Sequence, residues 1–317
     1  QSPKLFEWTF RDGDDTPCGV CFADVNLDGW MDLLIGQHYD RPWQEPVSIR
    51  LYLNWAGQSR SPTDSRSQPP RVFQDVTEAA GLKPLFLKAP HVEVQDFDND
   101  GVPDISTSIV RFDGKKTVPT IFRGTGINSK GIPQFELTGR DTNDYPTKED
   151  RAIRRSGEFF AKVVAERKIM YTAPAPTADF DRDGRLDIFL ANWFAESPSM
   201  LLRNETPSKN NWLQVKLNAV SGLNRMAIGC RVKMYEEGKA NDPSALIGHR
   251  EIAVGFGYAS GHEAVAHFGL GNRKACDLVI EFPHGLGQVT HKGIKVNQRF
   301  ETFVAARRPR TVPGSRN

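Results

Sequence analysis

The acidic stretches DVNLDGWMD (24–32), DFDNDGVPD (96–104) and DFDRDGRLD (179–187) repeat one pattern three times along the chain. Each carries a carboxylate or carboxamide side chain at positions 1, 3, 5 and 9 and a glycine at position 6. Calcium takes about six to eight oxygen ligands, and a glycine lets the backbone turn sharply around the ion. The pattern therefore predicts three calcium-binding loops.

We expect one Ca²⁺ in each loop, held by four side chains and by the main-chain carbonyl at position 7. The predicted ligands are Asp24, Asn26, Asp28, Trp30 and Asp32 in the first loop, Asp96, Asp98, Asp100, Val102 and Asp104 in the second, and Asp179, Asp181, Asp183, Arg185 and Asp187 in the third. Acidic turns without metal are the alternative. Several carboxylates within nine residues repel one another, however, unless a cation compensates their charge.

The loops lack the bidentate glutamate that an EF-hand requires at position 12, where this chain has Ile35, Thr107 and Leu190. Short runs rich in apolar, β-branched or aromatic residues precede and follow each loop. Such runs on both sides of a turn predict a β-hairpin that carries the metal at its turn.

Around each hairpin the same order of strands returns. A third strand is predicted at SIRLYLN (48–54), PTIFRG (119–124) and SMLLRN (199–204), and a fourth at RVFQDVT (71–77) and QFELTG (134–139). Four antiparallel strands per repeat predict the blades of a β-propeller. The segment LFEWTF (5–10) is predicted to be another strand of the fourth type. It either completes the last blade by ring closure or follows blades that are absent from this chain.

Two insertions interrupt the repeats. SRSPTDSRSQPP (59–70) predicts a polar loop, whereas residues 148–170 have helix formers throughout and apolar residues on one side. These apolar residues are Ile153, Phe159, Phe160, Val163, Val164 and Ile169. We expect a helix that packs on the propeller rim, with a partner-binding helix as the alternative.

From Asn211 onward the acidic loops stop, and alternating segments such as WLQVKLNAV (212–220) and REIAVGFG (250–257) predict a separate all-β domain. We expect three regions: a propeller-like domain (1–208), a small domain resembling a β-sandwich (209–306) and a basic tail (307–317). The predicted fold class is all-β, with propeller-like blades in a closed or incomplete ring.

The net charge of +2 includes the carboxylates of the loops, so the remaining surface would be basic once calcium is bound. Basic residues cluster at Arg151, Arg154 and Arg155 and at Arg307, Arg308 and Arg310. They are solvated faces or sites for anionic polymers. No apolar stretch approaches the roughly twenty residues of a membrane span.

The four cysteines are Cys18, Cys21, Cys230 and Cys276. The CGVC motif at 18–21 leads into a strand, which argues against dithiol chemistry. We expect Cys230 and Cys276 to be a structural disulfide or two packed thiols.

The three acidic hairpins resemble FG-GAP or VCBS repeats, the calcium-bearing units of integrin α-chain propellers. The segments NNWLQVKL, IGCRVKMYEEG, HREIAVGFGYASG, AHFGLGN and DLVIEFPHG, within 210–285, resemble the ASPIC/UnbV domain. Together the two modules resemble the cartilage acidic protein family and its bacterial relatives. The resemblance implies a secreted or periplasmic calcium-binding protein that binds partners and has no general catalytic assignment.

Catalytic motifs are not evident. In GHEAVAH (261–267) the histidines are five residues apart, whereas a zinc motif needs them four apart on a helix. GFGYASG (255–261) lacks the spacing of a nucleophile elbow, so its glycines are expected to serve a tight turn. We therefore expect an extracellular or periplasmic interaction or adhesion module whose propeller loops bind protein or acidic polysaccharide. We expect no binding to nucleic acid and no membrane span.

Two alternatives stay open. One is a calcium-stabilised lyase or cyclase with a site in the central channel, which a pocket lined by His38, Tyr39, Asp40 or His91 would favour. The other is a structural subunit of a larger assembly. The sequence leaves the oligomeric state open.

Overall fold

The computed structural model describes residues 16–56, 71–114, 116–138, 147–153, 156–166, 168–194 and 197–306. The chain forms two compact units: the first comprises Gln1–Asp98, Val102–Pro207 and Gly255–His262, and the second Asn99–Gly101, Ser208–Val254 and Glu263–Asn317. Within the described part, no helix has the length and apolar character needed to cross a membrane.

The first sheet is an antiparallel meander of strands β1 (Pro17–Ala23), β2 (Asp32–Gln37), β3 (Arg50–Ala56) and β4 (Arg71–Asp75). The period-two pattern of β1 buries Cys21 and Ala23 and exposes Val20 and Phe22. Because the first acidic loop connects β1 to β2, the sheet carries it at a hairpin turn, as the sequence predicts.

The second sheet repeats this meander with β5 (Val92–Gln95), β6 (Asp104–Asp113), β7 (Lys116–Ile127) and β8 (Pro133–Leu137). The second acidic loop connects β5 to β6. All four residues of β5 are buried, including the charged Glu93.

Two helices follow, α1 (Lys148–Arg151) and α2 (Ser156–Glu166), and then strand β9 (Ile169–Tyr171). The buried Phe159 ring of α2 stacks on Trp43 at a centroid distance of 4.4 Å. The helix predicted through residue 170 was wrong at its end, because β9 instead pairs with β6, with Val110 opposite Met170. Strand β9 pairs with Ile109–Arg111 of β6, beyond the part of β6 that pairs with β5, which ends at Thr107.

The third sheet has three described strands, β10 (Thr177–Ala178), β11 (Asp187–Leu190) and β12 (Met200–Leu202). The third acidic loop connects β10 to β11. Met200 and Leu202 are half-buried against a cluster that includes Ile188 and Leu190. No described residue forms a fourth strand beside β12.

The second unit contains two sheets around one core. Its strands are β13 (Asn211–Ser221), β14 (Arg231–Glu236), β15 (Leu246–Glu251), β18 (Val265–Gly271), β19 (Ala275–Glu281), β20 (Gln288–Lys295) and β21 (Gln298–Ala305), and the intervening β16 (Gly255–Phe256) and β17 (Ser260–Gly261) belong to the first unit. The sheet orders are β18-β13-β21 and β15-β14-β19-β20. Apolar side chains of both sheets, such as Val215 of β13 and Leu278 of β19, form one buried cluster, which gives a sandwich-like arrangement.

The described fold is therefore all-β apart from two short α-helices and the 3-10 turns Pro243–Ala245 and Pro283–Gly285, as the sequence predicts. The strand predicted at 250–257 was misplaced, because β15 occupies Leu246–Glu251 and residues 252–254 are irregular. The four cysteines are thiols, and Cys230 and Cys276 are buried in the core of the second unit. Burial raises the pKa of Cys230 to about 11 and that of Cys276 to about 12, which suits packed, unreactive thiols.

Several sequence predictions lie outside the described residues. These are the strand at 5–10, the polar loop at 59–70, Arg154, Arg155, the basic tail with Arg307, Arg308 and Arg310, and the side chains of Arg151, Phe160 and Val164.

Candidate metal centres

The three acidic loops share one backbone conformation. Positions 4 and 6 are left-handed in each loop: φ is 57° at Leu27, 59° at Asn99 and 61° at Arg182, and 85° at Gly29, 95° at Gly101 and 87° at Gly184. Three non-glycine residues adopt this costly conformation at the same loop position. The chain thus bends the same way around the interior of each loop.

The carboxylate at position 9 is fixed in the same way in all three loops. It accepts one hydrogen bond from the N–H of loop position 2 and another from the N–H of a residue in the third strand of its sheet or, in the third copy, two residues after that strand. The donors are Val25 (3.0 Å) and Asn54 (2.8 Å) for Asp32, Phe97 (2.9 Å) and Gly124 (2.8 Å) for Asp104, and Phe180 (3.0 Å) and Asn204 (2.7 Å) for Asp187. This carboxylate therefore joins the start of the loop to the third strand of its sheet or, in the third copy, to the segment just after that strand.

The carboxylate at position 1 accepts two backbone hydrogen bonds from its own loop in the first and third copies. Asp24 accepts hydrogen bonds from the N–H groups of Asp28 at 3.0 Å and Gly29 at 2.9 Å. Asp179 accepts the equivalent bonds from Asp183 and Gly184, both at 3.0 Å. These contacts turn position 1 toward the loop interior, as a first calcium ligand requires.

Carboxylates converge in the second and third loops. In each of the sets Asp96, Asp98, Asp104 and Asp179, Asp181, Asp187, one oxygen from every residue lies within 4.8 Å of the others. Such crowding is unfavourable unless a cation compensates it, and oxygen-only donors suit a hard ion such as Ca²⁺. The donor sets therefore fit calcium.

The first loop has a carboxamide, Asn26, at position 3, so fewer charges meet there. Asp32 is nevertheless almost fully buried. Burial, together with the charges of Asp24 and Asp28, raises its pKa to about 8 despite the hydrogen bonds from Asn54 and Val25. A nearby cation would favour the ionised form and relieve this cost.

Arginines lie against the loops at equivalent places. Arg123 binds Asp98 at 2.9 Å, and Arg203 binds Asp181 at 2.7 Å. Arg185 forms an ion pair with Asp183, whose Oδ1 also accepts the N–H of Arg185 at 2.9 Å. A carboxylate has two oxygens and can bind an arginine and a metal ion together.

All the predicted ligands stay predictions, and the loops also contain predicted ligands outside these clusters. Asp28 and Trp30 are exposed, and the N–H of Trp30 donates to Asp28 at 2.9 Å. Asp100 and Val102 are half-buried.

A buried polar cluster of the first unit was missed in the sequence. Glu93 accepts hydrogen bonds from Thr177 at 2.6 Å and Gln95 at 2.7 Å. Its two carboxylate oxygens also lie 3.5 Å from Nε2 of His91 and of His262. The one signal in the sequence is a glutamate within the otherwise strand-like, buried run VEVQ.

Several contacts fix this cluster. The N–H of Tyr258 donates to Nδ1 of His91 at 3.2 Å, so a neutral His91 carries its proton on Nε2, toward Glu93. The Phe256 ring stacks on His262 at a centroid distance of 4.1 Å. Burial alone raises the pKa of Glu93, but the two histidines and the Thr177 hydroxyl outweigh it and hold this pKa below its ordinary value.

The residues considered for an enzyme pocket make the following contacts. His38 packs edge-to-face on Trp193 at a centroid distance of 5.9 Å, Tyr39 is buried, and Asp40 pairs with Arg41 at 3.2 Å. Burial and the charge of Lys88 lower the pKa of His38. His91 belongs instead to the Glu93 cluster.

The histidines of GHEAVAH also lie in separate environments. His262 is beside Glu93, whereas His267 is buried in the second unit with its Nε2 2.8 Å from Oδ1 of Asn99. Burial and the charge of Arg250 lower the pKa of His267 to about 3, so it is neutral at physiological pH.

Comparison with known proteins supports the C-terminal resemblance. Residues 220–306 match the family model described as ASPIC and UnbV. Cartilage acidic protein 1 of Xenopus tropicalis is 27% identical over 268 residues, and that of Homo sapiens is 26% identical over 271 residues; each alignment covers 84% of this chain. The alignments cover 34% and 33% of those relatives, so the chain spans about a third of their length. The chain thus has an ASPIC and UnbV match in its C-terminal region and is similar over most of its length to cartilage acidic protein 1.

Proposed function

We propose that this chain is a calcium-stabilised interaction module that acts outside the cytoplasm, with one Ca²⁺ in each of its three acidic loops. The observation that carries the proposal is the common loop geometry. In all three loops the position-9 carboxylate accepts hydrogen bonds from two equivalent backbone N–H groups. In the second and third loops, three carboxylates also converge within 4.8 Å of one another. The resemblance of the hairpins to FG-GAP or VCBS repeats supports the same assignment.

Calcium would have an architectural role in this module. Asp32 and Asp104 each accept a hydrogen bond from the third strand of their own sheet, and Asp187 accepts one from Asn204, just after the third strand of its sheet. A bound cation would link the loop to that strand and compensate the buried negative charge. Because the ligands at positions 1 to 9 of a single loop would surround the ion, few coordination positions would be left for Lewis-acid chemistry.

The partner we propose is a protein or an acidic polysaccharide, held by loops of the first unit. The support is twofold: the surface is basic once the loop carboxylates are compensated, and the chain resembles cartilage acidic protein 1, whose name denotes a cartilage protein. Contacts of this kind weaken as salt rises, because exposed charges are screened beyond a Debye length of about 8 Å at physiological ionic strength.

The test is a binding screen of the purified, calcium-loaded chain against sulfated and uronate glycans at low and high salt. We expect salt-sensitive binding to at least one acidic glycan. We also expect that glycan to remain chemically intact. Neutral glycans of matched length are the control. Salt-insensitive binding, or turnover of any glycan, would overturn the proposal.

A further inference from the structure

We propose that Asn204 couples the second and third acidic loops, so that calcium bound in one loop raises the calcium affinity of the other. The inference rests on the proposed calcium sites and adds a relation between two of them. Asn204 lies two residues after β12, and it forms hydrogen bonds to both loops.

A continuous series of hydrogen bonds joins the position-9 carboxylates of the two loops. In the third loop, Asp187 accepts the backbone N–H of Asn204 at 2.7 Å. The Nδ2 group of Asn204 donates to the carbonyl of Phe97, at position 2 of the second loop, at 2.8 Å. The N–H of Phe97 in turn donates to Asp104 at 2.9 Å. Asn204 and Phe97 therefore connect one position-9 carboxylate to the other.

The orientation of the Asn204 carboxamide follows from its partners. Its Nδ2 faces two carbonyls, that of Phe97 and that of Leu186 at 3.1 Å, whereas its Oδ1 accepts the N–H of Thr206 at 3.0 Å. A carboxamide turned the other way would direct its oxygen at two acceptors and its NH₂ group at a donor. A single NH₂ group thus holds position 2 of the second loop and position 8 of the third.

Two further contacts hold the same loops together. The side chains of Phe97 and Leu186 are each 5% exposed and belong to one apolar cluster. On the strands that lead into the loops, Gln95 of β5 donates to the hydroxyl of Thr177 of β10 at 3.2 Å. Because the loops are packed in this way, ordering one of them limits the freedom of the other.

The coupling has a thermodynamic basis. Filling one loop would fix its position-9 carboxylate, and the hydrogen bonds through Phe97 and Asn204 would pass that restraint to the other loop. The other loop would then lose less conformational entropy when it is filled in turn, which gives positive cooperativity. Because linkage is reciprocal, each loop should raise the calcium affinity of the other by the same factor.

The equivalent residues of the first two sheets differ from Asn204 in what they can reach. Asn54 donates to the carbonyl of Met31 at 3.1 Å, which is position 8 of its own loop, as Asn204 does in the third loop. Gly124 has no side chain, and a Cβ there would collide with the carbonyl oxygen of Pro103. The second sheet therefore cannot use this residue for a carboxamide bond to a neighbouring loop. The coupling is accordingly assigned to the second and third loops.

The test is a calorimetric calcium titration of the full-length chain, in a background in which Asp28→Ala disables the first loop. Adding Asp98→Ala or Asp181→Ala leaves a single working loop, so these titrations give the affinity of each loop alone. The titration with both loops intact then gives the coupling factor between them. We expect a factor of at least about 5, the lower end of typical allosteric coupling, and no coupling in Asn204→Ala.

Two further variants sharpen the test, and circular dichroism verifies that each variant is folded. Asn54→Ala is the matched control, because it removes the bond to position 8 of the first loop and should leave the coupling factor unchanged. Asn204→Asp keeps the size of the side chain and an acceptor for Thr206 but removes both donors, so it should also abolish the coupling. A purely structural Asn204 would weaken both loops without changing the factor.

A coupling factor that disappears in both Asn204 variants and persists in Asn54→Ala supports the proposal. An unchanged factor in a folded Asn204 variant would overturn it, as would independent calcium binding by the two loops in the Asp28→Ala background. Independent binding would leave the proposed function standing, whereas an absence of calcium binding would overturn both.

Discussion

The hydroxyl of Thr177 donates a hydrogen bond of 2.6 Å to a carboxylate oxygen of Glu93, between strands β10 and β5 of two different sheets. Glu93 is fully buried, and Gln95 donates to the same oxygen at 2.7 Å. Removing the hydrogen-bond donors and histidines around a buried carboxylate costs free energy of folding, because the charge is then left without partners. We conclude that this contact helps to define how the second and third sheets of the first unit pack.

Replacing Glu93 with glutamine should destabilise the first unit by roughly 3 kcal/mol, the scale for breaking a buried charge cluster. Urea denaturation measures the effect. Thr177→Val, which removes one donor and keeps the shape, should cost less. Equal stability of Glu93→Gln and the native chain would show that the cluster contributes little to folding.

The same variant gives a pH test. The pKa of Glu93 is held below its ordinary value of 4.5 in the folded chain. Its stabilising effect is therefore fully present above that value and is lost as the pH falls through the lower folded pKa. The stability difference between the native chain and Glu93→Gln should be larger at about pH 5.5 than at about pH 3.5. A difference that grows toward low pH would contradict this account.

Gly257 should not tolerate a side chain. A Cβ there would lie 2.3 Å from Nδ1 of the buried His91, and its φ of 59° also disfavours other residues. Gly257→Ala should cost roughly 2–4 kcal/mol from overpacking and backbone strain. It should also speed hydrogen exchange at the N–H of Tyr258. Gly255→Ala is the control, because nothing lies within 4 Å of its Cβ, and a similar loss in both variants would refute the contact.

The loop glycines should be sensitive for a different reason. Gly184 has a φ of 87°, so Gly184→Ala should cost about 1–2 kcal/mol from backbone strain and should weaken calcium binding by the third loop. A methyl group added at Gly157 in α2 would meet nothing within 4 Å, so Gly157→Ala should leave both properties unchanged or slightly improve stability. Denaturation and calcium titration of the two variants compare these outcomes directly.

Much of the first unit could be predicted because its information is local. The acidic loops occur with their flanking strands in a single short stretch, and the same stretch recurs three times. Loop residues such as Gly29 and Asp32 accordingly lie at hairpin turns, as predicted. A period-two pattern also located β13 of the second unit.

The features that could not be predicted depend on contacts between residues far apart in the sequence. His262 is 169 residues from Glu93 in the chain, and no local pattern links them. Strands β20 and β21 were missed because most of their residues are polar and exposed or half-buried. The parallel pairing of β21 with β13 and the pairing of β9 with β6 are likewise long-range. In each case a strand forms because an existing edge can accept it.

If calcium holds the hairpins, its removal should lower the melting temperature, because a ligand that binds only the folded state stabilises it by mass action. At about 100 times the dissociation constant, each site would add roughly 2.7 kcal/mol. Asp187→Ala should remove part of the EDTA effect, whereas Asp113→Ala, an exposed residue at the end of β6, should not. A melting curve that EDTA leaves unchanged would argue that the loops fold without metal.

The most direct measurement is the number of calcium ions per chain, determined by metal analysis after equilibrium dialysis and by calorimetric titration of the EDTA-treated protein. Because the three loops share one geometry, the account predicts three calcium ions per native chain. It predicts two ions in the variant Asp104→Ala and two in the variant Asp187→Ala. Fewer than two calcium ions per native chain would contradict the account.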